Sequence, residues 1–170
     1  MLEGAAASRG EMPAPRTPRG VERLSAAMKE SALFARFMRE FGDEDSADWR
    51  DAVDQSLLID RALFENLKGG WKIMKGERAQ WLLYTAMNIQ SPDEIWLEPG
   101  RQGGLDKRYY FSRFEVGRGT VLACIAVFER KQGSKGTWAG RTNYATTDEK
   151  YIYRKLSQIV DGQMLYRRVE

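Results

Sequence analysis

The chain has 170 residues, of which 42% are hydrophobic and 30% are charged, and its formal net charge at neutral pH is +3. This composition predicts a small globular domain with an appendage, and no apolar run approaches the roughly 20 residues that a membrane span needs. The N-terminus also lacks the apolar core of a secretory signal. The sequence contains no histidine, so a serine or cysteine triad would lack its usual base.

The composition shifts along the chain and divides it into three parts. Residues 1–20 are rich in Ala, Gly, Pro and Arg, and this composition predicts a disordered lead-in. Residues 21–50 carry an apolar stripe at helical spacing from Val21 to Phe41, which predicts an amphipathic helical segment. Residues 55–170 then supply the main domain.

The first half of that domain alternates between strand and helix patterns. Ser56–Asp60 is a short strand candidate, and a glycine-rich basic stretch follows at 68–76. A helix is predicted from Glu77 to Gln90, where Ser91-Pro92 stops it. Beyond Pro92 the apolar period changes to two, which predicts a strand over 93–98.

The second half is dominated by strand patterns with glycine turns between them. Strands are predicted over 107–115, 119–130 and 137–145. The apolar run Val121–Phe128 has the pattern of a central strand in a sheet that is covered on at least one face and partly on the other. The lone cysteine, Cys124, lies in this run and is expected to be a buried structural thiol. We also expect Val121, Ile125 and Phe128 to be buried.

The C-terminal part completes an α+β fold. Thr146–Glu149 resembles a capping box and opens a predicted helix that stops at Asp161-Gly162, and Met164–Tyr166 is a short last strand. The expected fold is therefore a set of N-terminal helices packed on a small antiparallel meander, with a late C-terminal helix.

Basic and aromatic residues concentrate in the meander. Between Arg101 and Arg141 there are nine Lys or Arg residues and three Asp or Glu residues, which favours a polyanionic partner. Cations can neutralise phosphates, and aromatic rings can stack on unpaired bases. The expected RNA-binding residues are Lys107, Tyr109, Arg113, Trp138 and Tyr144. A solvated basic face without function remains the alternative for this charge.

The residue types also constrain the chemistry. Asp93, Glu94 and Glu98 form the close carboxylate group of the basic half, but Trp96 stands between the last two, and we expect no metal site and no cofactor. Cleavage of RNA needs no protein nucleophile, because the 2′-hydroxyl attacks; the protein must orient that oxygen, stabilise phosphoryl charge and move protons. The expected catalytic residues are Arg108, Tyr110, Arg141 and Thr142, with Lys72 as proton shuttle or phosphate ligand. Arg141 converges with Thr142 and Tyr144 only if a bulge intervenes or the site lies at the edge of the sheet.

Several short segments together resemble a known family. They are Gly70–Ile73, Trp81–Leu83, Ser91–Trp96, Lys107–Tyr110, Ala126–Phe128 and Gly162–Arg167. The pattern resembles the phage-associated nuclease domains grouped with barnase, EndoU, the colicin tRNases and RelE. Such domains occur at the C-terminal ends of Mu-type phage head morphogenesis proteins and of polymorphic toxins. The most specific piece is Pro92–Trp96 followed by the basic-aromatic strand.

The resemblance covers about residues 55–170 and implies a small α+β fold with metal-independent endoribonuclease activity. It implies RNA as substrate, with tRNA as one form, a cognate immunity protein or antitoxin as a partner, and no membrane. The expected location is the cytoplasm of the producing or target bacterium, or a virion. Because the chain has no histidine, it can match only those members that work with Lys, Arg and Tyr. The alternative is a non-catalytic phage structural or nucleic-acid-binding module.

Overall fold

The structure, a computed structural model, describes residues 12–75, 77–130 and 136–169, so most of the predicted lead-in lies outside the described residues. The α-helices within these ranges are α1 (Glu30–Met38), α2 (Leu82–Gln90) and α3 (Glu149–Ser157). The strands are β1 (Ala47–Arg50), β2 (Ser56–Ile59), β3 (Glu94–Glu98), β4 (Lys107–Gly117), β5 (Thr120–Arg130), β6 (Thr137–Thr146) and β7 (Gln163–Arg167). None of these helices is long and apolar enough to cross a membrane.

The described strands form one mixed sheet in the order β1-β2-β6-β5-β4-β3-β7. Strands β3 to β6 are an antiparallel meander, and the 107–115, 119–130 and 137–145 predictions are confirmed as its consecutive strands β4, β5 and β6. The hairpin of β1 and β2 extends the meander at the β6 edge, where β2 pairs with β6 in parallel. Strand β7 extends the meander at its other edge, where it pairs with β3 in antiparallel orientation.

The α+β class is confirmed, but the expected arrangement within it needs correction. The sheet is larger than a small antiparallel meander and is mixed, because segments before and after the meander extend it at both edges. The helices do not all precede the strands, since α2 lies between β2 and β3. Short edge strands such as β1 and β7 have little periodicity, and their partners are remote in sequence, so their pairing leaves a weak local signal.

The N-terminal part is less helical than its apolar stripe predicted. Helix α1 occupies only Glu30–Met38, continues as a 3₁₀ turn over Arg39–Phe41 and ends at Gly42, whose positive φ of 112° suits glycine. Residues 47–50 are a strand instead. Residues 12–20 form no helix; Arg16 makes an isolated bridge with Phe114, and its backbone N–H donates to the Arg113 carbonyl at 3.0 Å.

Strand β5 divides the core into two layers. On one face, Ala126 and Phe128 pack with Tyr110 and residues of α1 and α2. On the other face, Ala123, Ile125 and Val127 pack with Ile152 and Leu156 of α3. Cys124, Ile125 and Phe128 are buried as expected, whereas Val121, at the start of the strand, is only partly buried. Burial raises the pKa of the Cys124 thiol, in keeping with a structural role.

Helix α3 covers only part of its face of the sheet. The helix begins at Asp148, whose side chain accepts a hydrogen bond from the Tyr151 backbone N–H at 3.4 Å, and its buried residues are Ile152 and Leu156. The loop that connects Phe64 to the 3₁₀ turn Arg78–Trp81 approaches the same face from the β2 side. A pocket remains between helix, sheet and loop.

Candidate active site

The pocket has a volume of about 290 Å³, and half of its lining residues are cations or aromatic residues. Its floor consists of Ile125 and Val127 of β5, and its walls come from β4, β6, α3 and the loop before α2. The wall residues are Glu65, Leu67, Lys72, Lys107, Tyr109, Arg141, Thr142, Tyr144, Lys155 and Gln158. A concave site lined in this way suits a ligand with negative charge and flat rings.

A direct hydrogen bond joins the loop to the sheet at this pocket. The Lys72 Nζ donates to the Thr142 Oγ1 at 2.7 Å, although the two residues are 70 positions apart in sequence. The Lys72 backbone is held in turn, because its N–H donates to the Phe64 carbonyl at 2.7 Å. Thr142 accepts with its oxygen, so its own hydroxyl proton remains available to a ligand.

Among the described lysines, Lys72 is the one whose pKa the surroundings change most clearly. Partial burial, together with the nearby positive charges of Arg78, Arg141 and Lys75, lowers the pKa of Lys72 to about 8. Both causes disfavour the ammonium form. A lysine with this pKa can accept and release a proton near neutral pH, which an ordinary surface lysine cannot do.

A β-bulge brings Arg141 to the same pocket. Val127 pairs with Thr142 and Phe128 pairs with Gly140, so Arg141 is the extra residue between two regular pairs. In a regular strand Arg141 would face away from Thr142, but the bulge lets both line the pocket. Arg141 therefore converges with Thr142 and Tyr144 through a bulge, which was one of the two ways that the sequence allowed. The Arg141 Nε lies 3.2 Å from a Glu129 oxygen, and its side chain remains 43% exposed.

Two tyrosines line the pocket, and each has a fixed partner. The Tyr109 hydroxyl donates to Glu98 at 3.0 Å, and burial followed by the Glu98 charge raises the pKa of Tyr109, so this phenol stays neutral. The Tyr144 ring has the Lys155 Nζ 4.7 Å from its centroid and the Arg78 guanidinium carbon at 5.3 Å. These cation–π contacts hold two cations beside the pocket.

Three of the residues expected in the site lie on the other face of the sheet. Arg108, Tyr110 and Trp138 are nearly fully buried and pack on the layer that contains α1 and α2. Side chains alternate along β4, so Arg108 and Tyr110 lie on one face of the sheet and Lys107 and Tyr109 on the other. Only Lys107 and Tyr109 reach the pocket. The structure thus does not bring Arg108 or Tyr110 to this pocket.

The buried carboxylate of Asp51 binds both Arg108 and Tyr110. Asp51 accepts from the Arg108 Nη2 at 2.8 Å and from the Tyr110 hydroxyl at 2.5 Å, and its other oxygen accepts from the backbone N–H groups of Val53 and Gln55. Burial is the main cause that raises the pKa of Tyr110. The charges and donors satisfy one another, which indicates a structural role.

Arg113, another expected RNA-binding residue, also lies outside the pocket. Its guanidinium donates to Glu149 at 2.7 Å and to the Pro13 carbonyl at 2.6 Å, so it ties the N-terminal segment to the start of α3. The pocket therefore brings together Lys72, Arg141 and Thr142 from the expected catalytic set, and Lys107, Tyr109 and Tyr144 from the expected binding set.

Among the residues that the structure describes, no group of three Asp, Glu or Cys side chains could hold a metal ion. Residues 36–167, most of the chain, match the family model of the phage-Barnase-EndoU-ColicinE5/D-RelE like nuclease2 domains. The chain belongs to this nuclease family. The match also begins earlier than residue 55, and so includes part of α1 and both strands of the first hairpin. No curated protein and no solved structure matches the chain.

Two cations at the pocket were not among the residues predicted from the sequence: Lys155, which lines it, and Arg78, which contacts the Tyr144 ring beside it. Lys155 stands four positions after Tyr151 on α3, and this spacing places a cation and a ring on one helix face. That signal was present in the sequence. Arg78 gave no such signal, because its position beside Tyr144 depends on a contact between segments 66 residues apart.

Proposed function

We propose that this nuclease domain is a metal-independent endoribonuclease whose reactive centre is the Lys72–Thr142 pair. The observation that supports the proposal is the 2.7 Å hydrogen bond between the two side chains, made by a lysine whose pKa is lowered to about 8, in a pocket lined by cations. The alternative of a non-catalytic binding module gives no reason for a lysine that titrates near neutral pH in such a pocket.

Lys72 acts as the general base. Its neutral amine, about a tenth of the molecules at pH 7 for a pKa near 8, takes the proton of the 2′-hydroxyl. The 2′-oxygen then attacks the adjacent phosphorus, the bond from phosphorus to the 5′-oxygen breaks, and water protonates the leaving oxygen. The hydroxide that remains takes the proton back from Lys72 and so restores the neutral amine. The products are a 2′,3′-cyclic phosphate and a free 5′-hydroxyl.

Arg141 and Thr142 stabilise the phosphorane-like transition state. The Arg141 guanidinium is exposed enough to meet a phosphoryl oxygen, and the Thr142 hydroxyl can donate to a second one. Tyr109 and Tyr144 border the pocket, where a base can contact their rings. In this arrangement the cations supply the charge stabilisation that a divalent ion would otherwise provide.

The expected partners follow from the same site. RNA, including tRNA, is the proposed substrate. A cognate immunity protein or antitoxin would protect the producing bacterium by covering the cationic pocket, and so would present acidic groups to it. We propose that the enzyme acts in the cytoplasm of the producing or target bacterium, or is carried there by a virion.

The test is incubation of the purified chain with single-stranded RNA, with and without EDTA, beside a DNA strand of the same sequence. We expect RNA cleavage that EDTA does not reduce, products that end in 2′,3′-cyclic phosphate, and intact DNA. The matched variants are Lys72→Met and, as control, Lys68→Met at an exposed lysine of the same loop. Cleavage abolished by EDTA, equal cutting of DNA, or full activity in Lys72→Met would overturn the proposal, and RNA binding without cleavage would favour the binding module.

A further inference from the structure

A second cavity adjoins the active-site pocket across the ring of Tyr144. It has a volume of about 240 Å³, and its lining includes Lys75, Arg78, Tyr144 and Tyr151. Tyr144 lines both cavities, so the two form neighbouring sites along β6 rather than unrelated depressions. Thr142 and Tyr144 are two positions apart on this strand, so their Cα atoms are about 7 Å apart. Successive phosphates of an extended nucleic-acid strand have a similar separation.

Arg78 is an unusual residue in this second cavity. It is 8% exposed, and its Nη1 is buried without a hydrogen-bond partner among the described residues. Burial is also the main cause that lowers its pKa. A buried guanidinium nitrogen without a hydrogen-bond partner is costly to the fold, and a ligand that accepts a hydrogen bond from it would remove that cost.

The backbone around Arg78 is fixed. The side chain of the preceding residue, Glu77, accepts from the Thr146 hydroxyl at 3.1 Å and from the Thr147 backbone N–H at 3.2 Å. These bonds tie the start of the 3₁₀ turn to the end of β6. The other carboxylate of the cavity, Asp148, is engaged as the N-terminal cap of α3. Neither carboxylate makes an ion pair with Arg78 among the described residues.

A second cation stands on the boundary between the two cavities. The Lys155 Nζ lies 4.7 Å from the Tyr144 centroid and 5.4 Å from the Tyr151 centroid. Arg78 contacts the same Tyr144 ring at 5.3 Å, so one ring orders two cations. A cation whose motion is restricted in this way is suited to a phosphate oxygen.

We propose that Arg78, with Lys155 and the rim residue Lys75, forms a second phosphate subsite that binds a phosphate next to the scissile one. The inference rests on the proposed function, since it takes the Lys72–Thr142 pair as the scissile position. It specifies the substrate class further: the enzyme prefers an RNA that carries at least one phosphate beside the cleaved bond.

The test compares a dinucleoside monophosphate, whose only phosphate is the scissile one, with the same dinucleotide carrying a 5′-terminal or a 3′-terminal phosphate. For the wild type, we expect one of the two terminal phosphates to raise kcat/KM about tenfold, as a charge-assisted hydrogen bond would. In Arg78→Met and Lys75→Met the gain should shrink, most strongly in Arg78→Met. The exposed Lys150 on α3 provides the charge-matched control, Lys150→Met, which should retain the full gain.

The ratio of the two rates isolates the subsite from the chemistry. Arg78 also influences the pKa of Lys72, but that effect is common to both substrates and cancels in the ratio. Arg78→Lys serves where Arg78→Met fails to fold, and should keep a smaller gain. No gain from either terminal phosphate in the wild type, or an undiminished gain in both variants, would overturn the subsite.

A binding measurement separates the failure of this inference from failure of the proposed function. The affinities of the 2′-deoxy dinucleotide with and without the terminal phosphates are measured by calorimetry, which needs no cleavage. Tighter binding of a phosphorylated form that is lost in Arg78→Met supports the subsite even if no RNA is cut. Equal affinities with active cleavage contradict the subsite alone.

Discussion

A lysine can exchange protons near neutral pH only where its surroundings disfavour the ammonium form. Lys72 meets this condition because it is partly buried and because Arg78, Arg141 and Lys75 lie near it. Its hydrogen bond to Thr142 sets the direction of the amine. The proposed base is therefore defined by the fold around it and not by a local motif.

The first prediction concerns the pH dependence that this lysine imposes. Because only the neutral amine accepts a proton, kcat/KM should rise about tenfold per pH unit below pH 8 and level off above it. Lys72→Met and Lys72→Arg should both lower kcat by about 10²–10⁴, since arginine keeps the charge but does not release its proton. Stopped-time cleavage assays at several pH values provide the measurement. A fully active Lys72→Arg variant would show that the charge alone matters.

The second prediction concerns Arg108, which the structure places in a buried ion pair with Asp51 at 2.8 Å. Arg108→Met leaves that acid without its main counter-charge, so the free energy of unfolding should fall by about 3 kcal/mol. Urea denaturation measures this change, and Arg50→Met, at an exposed residue, should change it by less than about 0.5 kcal/mol. Cleavage per folded molecule should remain near that of the wild type. Loss of cleavage without loss of stability would instead indicate that Arg108 contacts RNA.

At the scale of elements, the sequence predicts the meander better than its surroundings. Strands β4 and β6 have long mixed patterns, β5 has a continuous apolar run, and glycine-rich turns separate the three, so local signals suffice. Strands β1 and β7 take partners far away in sequence, and no local pattern specifies that pairing. The amphipathic stripe of residues 21–50 predicted more helix than α1 contains, because extended segments also bury such side chains.

The residues of the candidate pocket were predictable only in part, for a related reason. The basic-aromatic pattern of β4 indicated a strand that does line the pocket, but strand alternation gives two possible faces, and Arg108 and Tyr110 occupy the buried one. The bulge at Arg141 is a departure of one residue from regular pairing. A bulge could be named as a condition, but it lies where the 3₁₀ turn Arg61–Phe64 packs closely against Gly140, a contact remote in sequence that no local pattern indicates.

The third prediction tests that packing. A Cβ built on Gly140 would lie 2.6 Å from the Leu63 Cγ, which is closer than real contacts allow. Gly140→Ala should therefore lower the free energy of unfolding by about 1–3 kcal/mol. It should also reduce cleavage, because the 3₁₀ turn leads to Phe64, whose carbonyl holds the Lys72 backbone. Adding Leu63→Ala makes room for the methyl group, so the double variant should lose less stability than the sum of the single ones.

At the scale of the whole molecule, we expect the distribution of charge to determine RNA binding more than the net charge does. The formal net charge is only +3, yet Lys72, Lys107, Arg141 and Lys155 surround one pocket. Several other cations of the basic region are engaged elsewhere, as Arg108 is with Asp51 and Arg113 with Glu149. RNA binding should therefore depend on a few local cations and not on the basic region as a whole.

The last prediction is the salt dependence of that binding. Each phosphate neutralised on a single strand contributes about −0.7 to the slope of log K against log salt concentration, so contacts with about three phosphates give a slope near −2. Arg141→Met should make this slope shallower by about 0.7 and weaken binding. Arg118→Met, at an exposed cation of the turn between β4 and β5, should change neither. Fluorescence titrations with a 2′-O-methyl RNA, which cannot be cleaved by this chemistry, measure both quantities. If both variants reduce the slope equally, the charge acts diffusely and the pocket is not where the backbone binds.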